Sequence, residues 1–547
     1  MAHCFLNSKD KFVSDALDGL VTTSGGSIAR LVTADEDTQV IVRTDWTKDR
    51  VAVISGGGSG HEPTHPGFVG KGMLTAAVCG SIFASPSVSA ILSTIVHVTG
   101  DAGCLLVVKN YTGDRLNFGL AREIARSKYS LKVDMVIVSD DIAIPGLAQP
   151  RGIAGTLFVH KIAGAMAESG ASLEEVSKVD HGAAQDAMSI GVALSDCNMP
   201  GERKKANRVA AGTMEVGLGI HGEPGAATVP IQTADGTVDL LLGKLREAAR
   251  VQGQSLERTA LLVNNLGTCM PAEMDIIASH AVASLRPSLV VGPAALMTSL
   301  DMHGFSLTVL PLTDELESLL KAPTAVASWP AARAPSLGRT IHTEKIASDT
   351  VKFVPSQDPL YQARVEAACN AIISAEGELN ALDGAVGDGD CGSTLAAGAR
   401  AILADSPQAP FGDARELASW LAEASSRIGG SSGVLAAIFF TAVAKAGDWS
   451  AAAIKAGVEA MTFYGGASVG SRTAMDALIP FANALSAGQS VEEAADAAQK
   501  GADSTAAMSA ASHGRSANVP AAALKGRVDP GAAAVAKVVK AVANIQK

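Results

Sequence analysis

The hydrophobic pattern of this chain changes character at about residue 355, and that change restricts its fold more than any other feature. Residues 1 to about 325 carry short β-branched apolar runs: VAVIS (51–55), LLVV (105–108), MVIV (135–138), LLVNNL (261–266) and SLTVLPL (306–312). Runs of this length suit strands buried on both faces. Helix-like segments lie between them, for example 155–168 and 238–252. Alternating strands and helices predict α/β layers. Beyond residue 355 the strand signals fade. Ala-rich amphipathic stretches follow at 359–375, 393–404, 413–427, 433–447, 450–462, 471–487, 491–511 and 531–545. Gly, Pro, Asp or Ser separates most of them, which predicts an all-helical bundle or barrel. Between the two patterns lies a Pro-, Ala- and Ser-rich stretch, 323–349, the best linker candidate. The expected division is an α/β domain over 1–325, a linker over 326–352 and a helical domain over 353–547.

A chain of 547 residues is too long for one ordinary core, in keeping with that division. Aromatic residues make up only 4%, so the cores must be filled mainly by aliphatic side chains on closely packed elements. The net charge is −11 with no basic stripe, so nucleic acid is not an expected partner. Seven scattered cysteines without a C-x-x-C pair argue against a disulfide framework or a zinc site and for a reducing cytosol. The start has no secretory pattern, and no run of about twenty apolar residues would span a membrane. A cytoplasmic protein is expected.

Three motifs in the first part carry chemistry. In VAVISGGGSGHEPTHPGF (51–68), a buried strand runs into Gly56–Gly60 and then His61. Its spacing fits neither the dinucleotide fingerprint nor the P-loop. A plain tight turn is one explanation. His61 at the carboxyl end of a strand favours a binding site, because ligands of open α/β sheets bind there. In CLLVVKNYTGDRLNFG (104–119), Lys109 and Asp114 lie near another strand end, although a surface Lys and a turn Asp are each common. In MEVGLGIHGEPG (214–225), His221 sits in a Gly-rich stretch. A lone His is more often structural, yet backbone freedom on both sides suits a nucleophile, and neutral imidazole is competent towards a ketone.

The sharpest signal lies in the second part: LDGAVGDGDCGST (382–394), with Asp383, Asp388 and Asp390 in one glycine-rich loop. Three carboxylates this close repel one another unless a cation neutralises them. Hard oxygen ligands point to Mg²⁺ or Ca²⁺, and the spacing does not fit an EF-hand. Mg²⁺ completed by phosphate oxygens fits better. Gly392, Ser393 and Thr394 open a helix whose N-terminal N–H groups form a phosphate site. RIGGSSGVLAAIFF (427–440) offers a second such loop, with Ser431 and Ser432. Capping explains each Ser separately but not the combination. Later come GGASVGSRTAMDAL (465–478), HGRSAN (513–518) and DPGA (529–532), where Arg472 and Arg515 could meet phosphate or a base.

Together these residues resemble the ATP-dependent dihydroxyacetone kinases, over nearly the whole chain and in the family order. The resemblance implies an α/β substrate domain followed by a barrel of eight helices. It implies that His221 captures the substrate carbonyl as a hemiaminal and that His61 and Asp114 serve the reacting hydroxyl. Gly58, Ser59, Gly60 and Lys109 would line the same pocket. Asp383, Asp388 and Asp390 would hold two Mg²⁺ on ATP. The implied ATP contacts are Asp390, Cys391, Gly392, Ser393, Ser431, Ser432, Gly466, Ala474, Met475, Arg515, Asp529, Pro530 and Gly531. A small ketose, dihydroxyacetone first, is the implied substrate, and a homodimer the implied assembly. Alternatives are a kinase of erythrulose or another four-carbon ketose, an added lyase activity that splits FAD, and a ketone-sensing binding module. The chain departs from the family at GRSANV, where a Tyr usually follows, before DPG (PAAALKGRV), and at SDCNMPGER (195–203).

Overall fold

The computed structural model describes residues 4–32, 39–202, 207–336, 338, 340–343, 353–514, 517 and 519–545. The chain divides into two compact units, Met1–Ile341 and His342–Lys547.

The first unit holds two six-stranded sheets. One comprises β1 (Ile28–Leu31), β2 (Gln39–Arg43), β3 (Ala52–Ser59), β4 (Ala76–Ile82), β5 (Cys104–Lys109) and β6 (Val133–Val138), in the order β1-β2-β4-β3-β5-β6. Its four central and far strands, β4, β3, β5 and β6, are parallel. The second comprises β7 (Met188–Ala193), β8 (Thr213–Val216), β9 (Ala227–Pro230), β10 (Thr259–Asn265), β11 (Leu289–Ala294) and β12 (Gly304–Pro311), in the order β11-β10-β12-β7-β8-β9. Only β10 and β11 pair in parallel there. All five apolar runs named from the sequence are strands, and both helix-like segments are helices (Thr156–Glu168 and Ala234–Val251).

The expected parallel-strand logic holds in β3 and β5, whose every residue is buried. Helix Thr156–Glu168 is buried almost all round, from Thr156 to Ala167, because it joins the core between layers. A helix apolar on every side needs packing on every side. Residues beyond 325 continue the first unit: Val326 and Trp329 enter its core, and Arg333 bridges to Val290. The stretch expected as linker is therefore partly packed structure, and its end, 344–352, lies outside the described residues.

The second unit is helical. All eight expected stretches form helices, at Pro359–Ser374, Cys391–Asp405, Ala414–Ser426, Gly430–Ala446, Ala451–Gly465, Met475–Ser486, Val491–Ser504 and Pro530–Ala543. Two more, Glu376–Gly384 and Ala521–Leu524, were not expected. The core uses small residues at helix contacts, such as Ala477, Ala494, Ala498 and Ala532. Among the described residues, no helix is long and apolar enough to cross a membrane.

Candidate active site

In the first unit the site forms at the carboxyl ends of parallel strands, where strand-end loops diverge and leave room for a ligand. Strand β3 delivers Gly56–Ser59, β5 ends in Lys109, and Asp114 occupies the first turn of helix Thr112–Tyr129. Gly58 has to be glycine, because a Cβ there would lie 2.7 Å from the backbone of Phe83 and Ala84. Gly60 adopts φ +103°, a conformation open to glycine. The Ser59 hydroxyl donates to the Gly80 carbonyl at 2.7 Å.

His61 follows and is fully buried. Its Nδ1 donates to the Thr298 carbonyl at 2.8 Å, which leaves Nε2 buried without a hydrogen-bond partner. Burial first, then the nearby charge of Lys109, depresses its pKa well below the usual imidazole value. It is a neutral imidazole with an open lone pair.

His221 comes from the loop between β8 and β9 and meets this group. Its ring lies 5.0 Å from that of His61, 5.0 Å from Phe83 and 4.7 Å from Tyr111, edge-on in each case. Its Nδ1 lies 3.0 Å from a Glu223 carboxylate oxygen, and its backbone N–H donates to the other oxygen at 2.9 Å. Burial opposes charge on Glu223, but the hydrogen bonds from His221 prevail and hold its pKa at about 2. A carboxylate only accepts, so the Nδ1 carries the proton and Nε2 carries the lone pair. The sequence singled out His221 but not the Glu two residues later that sets its tautomer.

Lys109 is buried with its ammonium unpaired, 5.6 Å from the Tyr111 ring centroid, and burial lowers its pKa. Asp114 is buried and accepts from the Ser85 hydroxyl. The space above Gly57 brings these residues together: a Cβ there would sit 3.6 Å from Lys109 Cε, 3.6 Å from an Asp114 carboxylate oxygen and 3.5 Å from His65 Nε2. His65 was not anticipated as a site residue. Its Nδ1 lies 3.0 Å from His160 Nε2 and 3.2 Å from the Ser55 hydroxyl, and its own Nε2 is buried and unpaired. Burial and then Lys109 hold both imidazoles neutral, His160 at about 3. Unpaired buried polar atoms are costly. Here Lys109 Nζ, His61 Nε2 and His65 Nε2 are all buried without hydrogen-bond partners, and the charge of Lys109 is felt by both imidazoles, which suits a small ligand rich in oxygen.

In the second unit, ligand atoms of Asp383, Asp388 and Asp390 all lie within 4.8 Å of one another. Asp383 is buried, and one of its oxygens accepts from the backbone N–H groups of Gly389, Asp390 and Cys391 at 3.0, 3.1 and 3.2 Å. It shapes the loop, while Asp388 and Asp390 face solvent. Three hard oxygen donors at this spacing fit a divalent cation bridging to phosphate. Gly392 is enclosed, since a Cβ would come 2.2 Å from the Glu376 carbonyl. Ser393 is tied to Asn380 through both its N–H and its hydroxyl, at 3.0 and 2.9 Å. Ser431 and Ser432 open helix Gly430–Ala446 and are exposed. Thr394 and Gly429, at the starts of the two helices, line one groove of about 360 Å³.

Of the later residues, Ala474 and Asp529–Gly531 form a second group. Gly466 ends helix Ala451–Gly465 with φ +73°. Gly531 packs on Ala474, with a Cβ position 3.4 Å from it, and Met475 is buried beside them. Asp529 caps helix Pro530–Ala543 at the Ala532 N–H, 2.9 Å away, and lies 3.9 Å from the buried Arg472. Burial raises its pKa to about 6 despite Arg472. Arg472 also donates to the Arg527 carbonyl, and Arg527 donates to the Ala385 carbonyl at 3.2 Å. That chain links the late loops to the aspartate loop. Arg515 and Asn518 lie outside the described residues.

Comparison with known proteins follows the same two-part division. A Dak1 domain model matches residues 25–328 and a DAK2 domain model matches residues 385–544. The dihydroxyacetone kinase of Citrobacter freundii is 45% identical, over 100% of this chain and 99% of that protein. The crystal structure of the C. freundii enzyme in complex with AMP-PNP and Mg²⁺ superposes with a TM-score of 0.80 at 43% identity, covering 100% of both chains. Human triokinase/FMN cyclase is 39% identical over 99% of this chain and 98% of its own length.

Proposed function

The chain belongs to the dihydroxyacetone kinase family, with Dak1 and Dak2 domains fused, and on that premise we propose that it transfers the γ-phosphate of ATP to dihydroxyacetone. Its class is that of the kinases of short ketoses.

The observation that carries the reading is the state of His221. Glu223 holds its Nδ1 proton, and three rings enclose the imidazole. Its Nε2 lone pair attacks the ketone carbon. A C–N bond forms, the C=O π pair moves to oxygen, and that oxygen takes up one proton from water to give the hemiaminal. The positive charge left on the ring pairs with Glu223. An alcohol such as glycerol has no carbonyl to capture, so chemistry gives selectivity where a small ligand offers little area.

Asp114, with neutral His61, accepts or orients the proton of the reacting hydroxyl. Gly58, Ser59, Gly60 and Lys109 line the pocket. In the helical unit, Asp383, Asp388 and Asp390 hold two Mg²⁺ ions, which neutralise charge on the ATP phosphates. The N-termini at Cys391–Ser393 and at Ser431–Ser432 donate N–H groups to those phosphates. Gly466, Ala474, Met475, Arg515 and Asp529–Gly531 make up the remainder of the nucleotide site. The working form is a cytoplasmic homodimer.

The test is ADP release with ATP and Mg²⁺ across dihydroxyacetone, glyceraldehyde, erythrulose and glycerol. Dihydroxyacetone should give the highest kcat/KM and glycerol no turnover. Preference for erythrulose would reassign the substrate within the class, and equal turnover of glycerol would refute carbonyl capture. With ¹³C-labelled ketone, His221→Ala should lose the hemiaminal carbon resonance. The human relative is also named an FMN cyclase, and AMP release from FAD tests the alternative of an added lyase activity.

A further inference from the structure

Away from the ketone pocket, the first unit gathers a mixed donor set that the reaction does not use. Cys269 Sγ, a Glu273 carboxylate oxygen and a His303 ring nitrogen all lie within 4.8 Å of one another. The three come from two segments. Cys269 and Glu273 flank the start of helix Pro271–Leu285, and His303 immediately precedes β12. From the sequence, unpaired cysteines gave no zinc pattern. The tertiary structure supplies what the spacing lacks.

We propose that Cys269, Glu273 and His303 form a binding site for a zinc-class divalent cation, with a fourth position open to water. The His303 Nε2 lies 3.2 Å from both Glu273 oxygens. Two ligands held at about 2.0–2.1 Å on a tetrahedral ion stand roughly 3.3 Å apart, so this pair already has the required spacing. Sulfur, imidazole and carboxylate together suit Zn²⁺ and do not suit Mg²⁺.

The donors are held in place from behind. The Asn265 side chain accepts from the Gly267 and Cys269 N–H groups at 2.9 and 3.2 Å. Glu273 accepts from the Met270 N–H at 2.7 Å. The His303 N–H donates to Ser195 Oγ at 3.0 Å, and its carbonyl accepts from Leu194 at 2.7 Å. Such outer contacts orient metal ligands. Without a cation, the Cys269 thiol donates to the Gly304 carbonyl at 3.2 Å. Metal binding turns the sulfur from that contact and releases its proton to solvent.

The site also has a consequence for the pocket. The segments it would join, 266–269 and 299–304, run side by side: Ser299 donates to the Leu266 carbonyl and Thr268 to the Met302 carbonyl. The second segment adjoins Thr298, which accepts from His61, and its Ser299 hydroxyl donates to the Ile220 carbonyl at 2.6 Å. A cation would clamp the wall that carries both catalytic histidines. The proposal does not depend on the identity of the ketone.

The experiment uses the full chain in excess Mg²⁺, with Co²⁺ as the spectroscopic probe and Zn²⁺ as competitor. One equivalent of Co²⁺ should give a thiolate-to-metal charge-transfer band that Zn²⁺ abolishes. An oxygen-only aspartate site cannot produce that band. It should vanish in Cys269→Ser, weaken with at least ~10-fold poorer affinity in His303→Ala and Glu273→Gln, and persist in Cys391→Ser. Cys391 adjoins the aspartate loop and is the alternative thiolate. His303 and Glu273 are partly exposed, so their variants keep the test valid if Cys269→Ser does not fold. A wild-type chain without the band overturns the proposal. So does a band that survives in His303→Ala at unchanged affinity, or that is lost in Cys391→Ser.

Discussion

The aspartate loop separates two roles that a single substitution each can isolate. Asp383 accepts three backbone N–H groups, from Gly389, Asp390 and Cys391, and so organises the loop before any cation arrives. A hydrogen bond to a charged acceptor contributes about 1.5–3 kcal/mol, and a neutral one about 0.5–1.5 kcal/mol. Asp383→Asn therefore forfeits about 1 kcal/mol per bond, or about 3 kcal/mol for the three. For a unit of roughly 200 residues, each kcal/mol shifts the melting temperature by about 2–4 °C, so the metal-free helical unit should melt about 6–12 °C lower. Asp388 is exposed, and its removal relieves repulsion within the cluster. Metal-free Asp388→Asn should melt within a degree or two of wild type, or slightly higher, because exposed substitutions change stability by less than about 0.5 kcal/mol. Both variants should lose Mg²⁺-dependent ATP binding. Differential scanning calorimetry of the metal-free chains and titration calorimetry of ATP with and without Mg²⁺ measure the two effects. Equal melting of the two variants, or undiminished Mg²⁺-dependent binding by Asp388→Asn, would refute the reasoning.

Three further outcomes are expected. His65→Asn removes a buried nitrogen from the pocket wall and should lower kcat/KM for the ketone by ~10- to 100-fold, the loss of about one or two hydrogen bonds, while KM for ATP stays constant; an equal change in both KM values would point to a folding defect instead. Glu223 is held at about 2, below its ordinary 4.5, so the hydrogen bonds it accepts from His221 support the first unit above pH 4.5 and are lost as pH falls towards 2. Glu223→Gln should flatten that acid limb of thermal stability and weaken ketone capture by ~10-fold; an unchanged limb would count against the pair. Asp529 is raised to about 6 from 3.8, so the folded helical unit binds this proton more tightly than the unfolded chain. Its stability should fall as pH rises from about 4 to about 6, and Asp529→Asn should reduce that slope; a slope unaffected by the substitution would exclude Asp529 as its source.

Much of the site was legible because its residues sit in unusual local patterns. Glycine before His61 and around His221, and three aspartates in eight positions, have few bland explanations. Glu223 and His65 stood inside the same motifs, in GIHGEPG and GHEPTHPGF, but ordinary charged and polar residues near a turn carry no signal of their own. His160 gave none either, since LFVHKIAG reads as a buried helix and its partner lies 95 residues away. Of the seven strands outside the five named runs, β1, β8 and β9 have four residues each, too short for a period to show. The linker was misjudged in part because Pro and Ala mark loops without revealing that Val326 and Trp329 find a core.

By itself, the sequence determined the two folding regimes and the crowding of the aspartate loop. Both follow from neighbours along the chain, where hydrophobic period and like-charge repulsion act at short range. Tertiary structure alone decided which polar atoms are buried without partners, which tautomer His221 adopts, and that Cys269 faces His303. Those properties depend on desolvation and on distances between residues far apart in sequence, and no local pattern encodes them.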